Sequence, residues 1–233
     1  VLMLVFKDTI TGLAAGVRLT SNDMLHKGDW ITVKSVDANG IVEDMSLTTV
    51  KVRNFDNTIV TISPITLVNG SFQNWIGMQK SGGRRVKRVV YFDFRSVRLV
   101  DETLKRNLLA KHFATEDSFK LKESLQKAID KDIQEGKDIE DLKNPAALAP
   151  TNLQLYRKFM EKYLRQRPEV NTDLTLMVRH MEATQCGLPI EFYFFIKDKV
   201  WVNYEHILAD IMEHAYALAN EFGLKIYEQY PEQ

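Results

Sequence analysis

Hydrophobic residues along this chain follow a helical spacing first, then a strand spacing, then a mixture of the two. From Thr9 the apolar positions recur every three to four residues. Ile10, Leu13 and Val17 share a stripe, and Gly12, Ala15 and Gly16 form an overlapping face without bulk. This predicts a helix to about His26, ended by Gly28 as a left-handed C′ residue. From Trp30 the period becomes two. "WITVKSV", "GIVEDMSLTTVKVRN" and "NTIVTIS" alternate, and Asn39-Gly40 and Asp56-Asn57 carry the chemistry of tight hairpins between them. Pro64 and Asn69-Gly70 close the stretch. Four or five short antiparallel strands in about sixty residues predict a small barrel or sandwich.

Ser81-Gly82-Gly83 reads as a flexible link, and the pattern behind it describes a second domain. "VKRVVYFDF" is a strand, Asp101 to about Phe113 a helix, Leu174 to Met181 a strand, "CGLP" a turn and "IEFYFFI" a strongly β-prone strand. Tyr204 to Phe222 is a helix capped by Gly223, and "LKIYEQ" is a last strand. That order, β-α-β-β-α-β, is the split βαβ or ferredoxin-like arrangement. A long insertion, Lys120 to Val170, interrupts it, with one charged helix around Leu121–Ile133 and another at Leu153–Leu164 capped by Thr151 or Asn152. The expected class is α+β. Its parts are an N-terminal helix over 1–27, a small all-β domain over 28–80 and an α/β domain over 84–233 that contains the insertion 120–170.

Composition narrows the function only by exclusion. Lys plus Arg and Asp plus Glu are both 31, so no global charge points to nucleic acid or an acidic partner. The single cysteine, Cys186, excludes an internal disulfide framework and fits a reducing compartment. No run reaches the ~18–20 apolar residues of a membrane span, and "VLMLVF" lacks the basic n-region and cleavage site of a signal peptide.

The candidate chemistry is sparse. Gly12-x-x-x-Gly16 is the spacing that lets helices pack closely in membranes, and it equally fits a helix packed on its own domain. Arg84, Arg85, Lys87 and Arg88 form a basic run suited to phosphates of nucleic acid or lipid, or to a solvated strand. His180, Cys186 and Glu191 lie within twelve positions, but no cysteine-enzyme signature surrounds them. His206 and His214 stand eight apart, where helical metal sites need three or four. No Walker A loop or G-x-G-x-x-G is present, and "SGGRR" precedes a strand rather than a helix N-terminus. The chain therefore reads as a non-enzyme without a cofactor or metal. An Sm-like nucleic-acid-binding module is the runner-up from another class.

The order of segments is more specific than any single motif. "GLAAGVRL", then "GDWITV" and "GIVEDMSLTTVKVRNFDNTIVTISPITLVNGSFQNW", then "SGGRRVKR" and "RHMEATQCGLPIEFYFF…WVNYEHILADIMEHAYALANEFGLKIYEQ", together resemble the small-conductance mechanosensitive channel family, and within it the bacterial miniconductance type. The resemblance implies that the first helix is the lower half of a pore-lining transmembrane helix and that the small β domain is Sm-like. It implies membrane helices upstream, so that this sequence is a C-terminal portion. It implies a homo-heptamer in the bacterial inner membrane, most of this chain lying on the cytoplasmic side. Ions and small osmolytes would leave through it on hypo-osmotic shock, with lipid against the N-terminal helix and no nucleic acid bound. Leu4 would line the constriction, Gly12 and Ala15 would let copies pack, and Gly16 would mark a bend out of the pore axis. Arg84, Arg85, Lys87 and Arg88 would stand where an ion filter or a lipid contact is expected, and the "NDMLHKGDW" elbow would transmit movement between helix and β domain.

Overall fold

The computed structural model describes residues 2–120, 127, 130, 131, 134 and 149–228, with the backbone alone for 2–6 and 8. The chain divides into two compact units, Val1–Ser81 and Gly82–Gln233. The division falls at the Ser81-Gly82-Gly83 link.

The first unit opens with α1 (Leu2–Ser21). It ends five residues before the expected His26. The left-handed residue is Asp23, with φ +57°. Its N–H reaches the carbonyl of Thr20 (3.3 Å) and the N–H of Met24 reaches that of Leu19 (3.1 Å), a Schellman closure made without glycine. Gly28, φ +94°, belongs instead to the turn into the sheet, where its N–H bonds the carbonyl of Val42 (2.8 Å).

The sheet is antiparallel, in the order β4-β3-β2-β1-β5. Its strands are β1 (Trp30–Val33), β2 (Ala38–Met45), β3 (Val50–Asn54), β4 (Ile59–Ile62) and β5 (Gln73–Asn74). A short helix, α2 (Pro64–Asn69), separates β4 from β5, and α3 (Ile76–Lys80) follows. Alternation puts Ile31, Val33, Ala38, Val42, Val50, Val52 and Ile62 on one face, where Leu19, Leu25 and Leu67 complete the core.

The Asp56-Asn57 turn forms as expected, with Asn57 at φ +68°. Asn39-Gly40 does not make a hairpin. Both residues pair inside β2, Gly40 opposite Ile31 and Asn54, while the β1–β2 reversal is made by Lys34–Val36 and left-handed Asp37. Gly40 is needed for a different reason: a Cβ there would lie 2.6 Å from the Arg53 carbonyl carbon and the Asn54 Cα. Asn39 serves as an acceptor for Trp30 Nε1 (2.9 Å) and Thr32 Oγ1 (3.0 Å).

In the second unit β6 (Arg84–Phe92) and β8 (Leu188–Ile196) pair over nine residues, from Arg84 opposite Ile196 to Phe92 opposite Leu188. β7 (Met177–His180) lies on the other edge of β8. The expected last strand is reduced to one bridge, Ile226 to Phe92. The order Ile226–β6–β8–β7 is that of the split βαβ arrangement. Three of its helices are α4 (Glu102–Ala110), α5 (Asn152–Gln166) and α6 (Trp201–Glu221). All three contribute to a core with Val86, Val90, Phe92, Ile190, Phe192 and Phe194.

α5 was expected as part of an insertion. Leu153, Leu155, Tyr156, Met160 and Leu164 are buried, so the second half of Lys120–Val170 is integral to the core. Of the helix expected around Leu121–Ile133, Lys127, Asp130 and Lys131 are described and helical, and the rest lies outside the described residues. At the head of α5, Thr151 Oγ1 accepts from the N–H of Gln154 (3.1 Å). Buried Asn152 beside it donates to the carbonyls of Ser96 (2.8 Å) and Phe222 (3.1 Å) and accepts from the N–H of Arg98 (3.0 Å). One side chain thus ties the start of α5, the loop before α4 and the end of α6. Edge strand β7 is covered by α5 as well: Glu161 accepts from the N–H of Val178 (2.9 Å), and Arg157 donates to its carbonyl (3.3 Å). These bonds occupy backbone groups that an open edge would offer to another strand.

Candidate functional site

α1 sorts its residues between two faces. Ala15 is 5% exposed, Leu19 is fully buried and Gly16 is buried against its own unit. A Cβ on Gly16 would stand 2.7 and 2.8 Å from the carbonyl carbon and Cα of Leu47, in the turn between β2 and β3. Glycine is required there by a close backbone approach. Gly12 has nothing within 4 Å of where its Cβ would be. Ile10, Leu13 and Val17 are 63%, 38% and 52% exposed. The bulky stripe is therefore uncovered, and Ala15 and Gly16 pack within their own unit. α1 runs through Gly16 as one continuous helix. Leu4 lies on α1, where the structure describes the backbone. No helix among the described residues is long and apolar enough to cross a membrane.

Between α1 and β1 the chain turns through "NDMLHKGDW". The anchor is Asp29, 6% exposed, whose Oδ2 accepts from the N–H of His26 (3.0 Å) and Nδ2 of Asn74 (2.8 Å). The imidazole of His26 lies between two carboxylates: Nε2 is 2.9 Å from Asp23 Oδ1, and Nδ1 is 3.9 Å from Asp29 Oδ2. The sequence marked this stretch as an elbow without separating these roles.

The basic run is divided by the strand it sits on. Arg84 and Arg88 share a face with Val86, and Arg85 and Lys87 take the other, as alternation requires. Arg84 stacks on the ring of Tyr204, its guanidinium carbon 4.3 Å from the centroid, and Tyr204 Oη donates to the carbonyl of Arg85 (2.9 Å). Burial raises the Tyr204 phenol above its ordinary range. Arg88 and Arg85 are exposed. Lys87 Nζ is 3.7 Å from Oε2 of Glu191, whose other oxygen takes a 2.6 Å bond from Arg179 Nε. Glu191 is fully buried. Arg179 was not singled out in the sequence. Its role comes from its place directly opposite Glu191 across β7 and β8.

That pairing also separates the thiol constellation. Arg179 opposes Glu191 and His180 opposes Ile190, so His180 and Glu191 point to opposite faces of the sheet. Cys186 is exposed in the turn made by Thr184 and Gly187. On α6, His214 donates from Nδ1 to the carbonyl of Asp210 (2.7 Å) and its ring stacks on Tyr163. Among the described residues no group of three His, Cys, Asp or Glu side chains could hold a metal ion.

Residues 8–77 match the family model for the mechanosensitive ion channel β-domain. The small-conductance mechanosensitive channel MscMJ of Methanocaldococcus jannaschii is 33% identical over 73 residues, which are 31% of this chain and 20% of that protein. An uncharacterized MscS family protein of Aquifex aeolicus is 33% identical over 108 residues, 46% of this chain and 28% of that one. These matches thus span less than a third of either relative. Among solved structures, Arabidopsis thaliana MSL1 superposes with a TM-score of 0.62 at 10% identity, over 97% of this chain and 61% of that one. The closed-state crystal structure of Helicobacter pylori MscS superposes with a TM-score of 0.59 at 14% identity, over all of this chain and 67% of that one. These structures share the fold. The matched β-domain is that of a channel family, which disfavours the nucleic-acid reading. Residues 8–77 are thus similar to the β-domain of mechanosensitive channels, two prokaryotic MscS relatives are similar over part of the chain, and the fold is shared with solved MscS-type channels.

Proposed function

We propose that this chain supplies the base of the pore helix and the intracellular vestibule of a channel opened by membrane tension, and that seven copies form the ring. The observation that carries this reading is the match over residues 8–77, which takes in most of α1 and the whole five-stranded sheet as one element. Tension favours whichever state occupies more membrane area, so it acts as a ligand of the open state. The uncovered stripe Ile10, Leu13 and Val17 supports a helix that meets neighbouring copies or lipid. In this reading Leu4 faces the constriction and Gly12 allows close approach between copies. Ala15 and Gly16 fix α1 to its own β-domain, so that helix and sheet move together.

The channel sits in the bacterial inner membrane with residues 28–80 and 84–233 on the cytoplasmic side, and it releases ions and small osmolytes on hypo-osmotic shock. Arg84, Arg85, Lys87 and Arg88 bias which ions approach, because rings of like charge set local ion concentrations. The miniconductance subtype is the version of this reading that the C-terminal segments favour. Native mass spectrometry of the full-length protein in detergent, followed by patch recording under suction, tests it. A seven-membered ring that conducts under tension is expected. A monomer, or a ring indifferent to tension, sinks it.

A further inference from the structure

α6 is acidic and has no basic residue. Its 21 residues include Glu205, Asp210, Glu213 and Glu221 but no Lys or Arg, although these number 31 in the whole chain. Tyr204, Leu208, Ile211, Met212, Ala215 and Ala219 turn into the core. The opposite side of a surface helix is ordinarily polar and charged with both signs. Here it carries Val202, 61% exposed, and Tyr216, 44% exposed, with Ala209 and Ala217 also exposed. Exposed Asp210 and Glu213 and half-buried Glu205 give this side its negative charge, while Glu221 is taken by Lys111. An outer side that is partly apolar and free of lysine has the composition of an interface.

The sheet of the same unit shows the converse. One face, with Val86, Val90, Phe192 and Phe194, belongs to the core that the helices share. On the other face, Lys87, Tyr193 and Met177 form one row across β6, β8 and β7, and Val89, Glu191 and Arg179 form the next. Arg85 stands opposite Phe195, whose ring meets that of Tyr193 edge-on at 5.9 Å. Glu191 is the one acid in these rows and is fully buried, whereas the side chains of Lys87 and Arg179 are about half exposed. This face is therefore positive and aromatic. It looks away from the core on one side of the unit, and the acidic side of α6 looks away from the core on the other. The two cannot meet within one copy.

From these two faces we infer that the outer side of α6 in one copy docks on the β6–β8–β7 face of the next. The inference rests on the ring proposed above. Neighbours in a ring of seven are not related by a two-fold axis, so every contact must join two different patches, head to tail. The second unit supplies such a pair. Asp210 and Glu213 meet the Lys87 and Arg179 side of the neighbour, Ala209 and Ala217 let the helix approach closely, and Tyr193 and Phe195 give the apolar contact. Opposite charge fixes the order and orientation of copies more than it adds affinity.

The test is cysteine crosslinking of the full-length protein in detergent, with the native thiol removed by Cys186→Ser. Ala209→Cys marks the helix face and Lys87→Cys the sheet face, both at exposed positions. With both in one chain, a short bismaleimide should give a ladder of covalent oligomers on a denaturing gel. Either cysteine alone should give only monomers, because each patch meets the other and never itself. Adding Asp210→Lys and Glu213→Lys should slow the ladder about ten-fold, as like charges come together. A dimer formed by one cysteine alone would overturn the inference, since it marks a contact between identical patches. Loss of the ladder on adding a single-stranded oligonucleotide at low salt would also overturn it, and would assign the sheet face to nucleic acid. Native mass spectrometry of the same samples separates the two readings. An intact ring without a ladder overturns this interface alone, whereas a monomer overturns the ring as well.

Discussion

Gly16 lies against the backbone of Leu47 so closely that a methyl group could not be placed between them. The contact joins α1 to the β2–β3 turn within one unit, and it assigns different tasks to the two glycines of the Gly12-x-x-x-Gly16 spacing.

Gly16→Ala should therefore destabilise the first unit by about 1–3 kcal/mol, the usual cost of overpacking. Gly12→Ala should be neutral, or stabilising by up to ~1 kcal/mol from helix propensity, since nothing stands near its Cβ position. Urea unfolding of the two variants decides it. Equal effects would show that the Leu47 turn yields freely.

Asn152→Ala should weaken the second unit and leave the first unaffected. The substitution strips partners from the carbonyls of Ser96 and Phe222 and from the N–H of Arg98, all at a buried position. Buried groups left without partners cost roughly 1–3 kcal/mol each, softened where water can enter, so a loss of about 3 kcal/mol is expected. A loss under ~1 kcal/mol would mean that the three segments are held by packing alone.

Glu161→Ala should release the edge of β7. The N–H of Val178 loses its acceptor, and its exchange should accelerate about five-fold, equivalent to ~1 kcal/mol. Phe192, in the strand centre, should be unaffected. Unchanged exchange at Val178 would remove α5 from its role as edge cover.

Acid should weaken the start of α4. The N–H of Leu104 bonds the Asp101 carboxylate at 2.7 Å and, with Arg98 adding a smaller effect, lowers its pKa. A carboxyl held lower in the folded state contributes stability above its unfolded pKa and loses it as pH falls through the folded one. Helicity of 102–110 should thus fall as pH drops below about 4, and Asp101→Asn should flatten that part of the profile. A parent and variant with parallel profiles would contradict it.

If the proposed channel reading holds, reversing Arg85 and Arg88, two exposed members of the run, should shift the reversal potential of the full-length protein towards cation preference. Arg84→Glu is a poorer probe because it also removes the stack on Tyr204. An unchanged anion-to-cation ratio, with opening under tension intact, would assign the run to a solvated strand screened over ~8–10 Å.

Local chemistry alone determined much of this protein. Period-two alternation located the strands, and Gly223 was legible as the cap of α6 because glycine adopts φ +67° without steric cost. The order of elements identified the split βαβ arrangement, and with the segment resemblance it pointed to the family. Only the tertiary structure could decide the rest. Asp23 caps α1 although Gly28 stands nearby, because Leu19 and Leu25 must both enter the core and the chain has to turn between them. Asn39-Gly40 pairs within a strand because the approach of β3 fixes its register, and pairing register is not a local property. α5 reads as part of an insertion because the β-α-β-β-α-β order has no place for a third helix, while its buried side acquires meaning only against a sheet assembled from distant segments. Arg179 and Glu191 meet across strands, so twelve positions of sequence separation said nothing about their contact. A helix or a turn depends on neighbours along the chain, whereas burial, register and ion pairing depend on which distant segments the fold brings together.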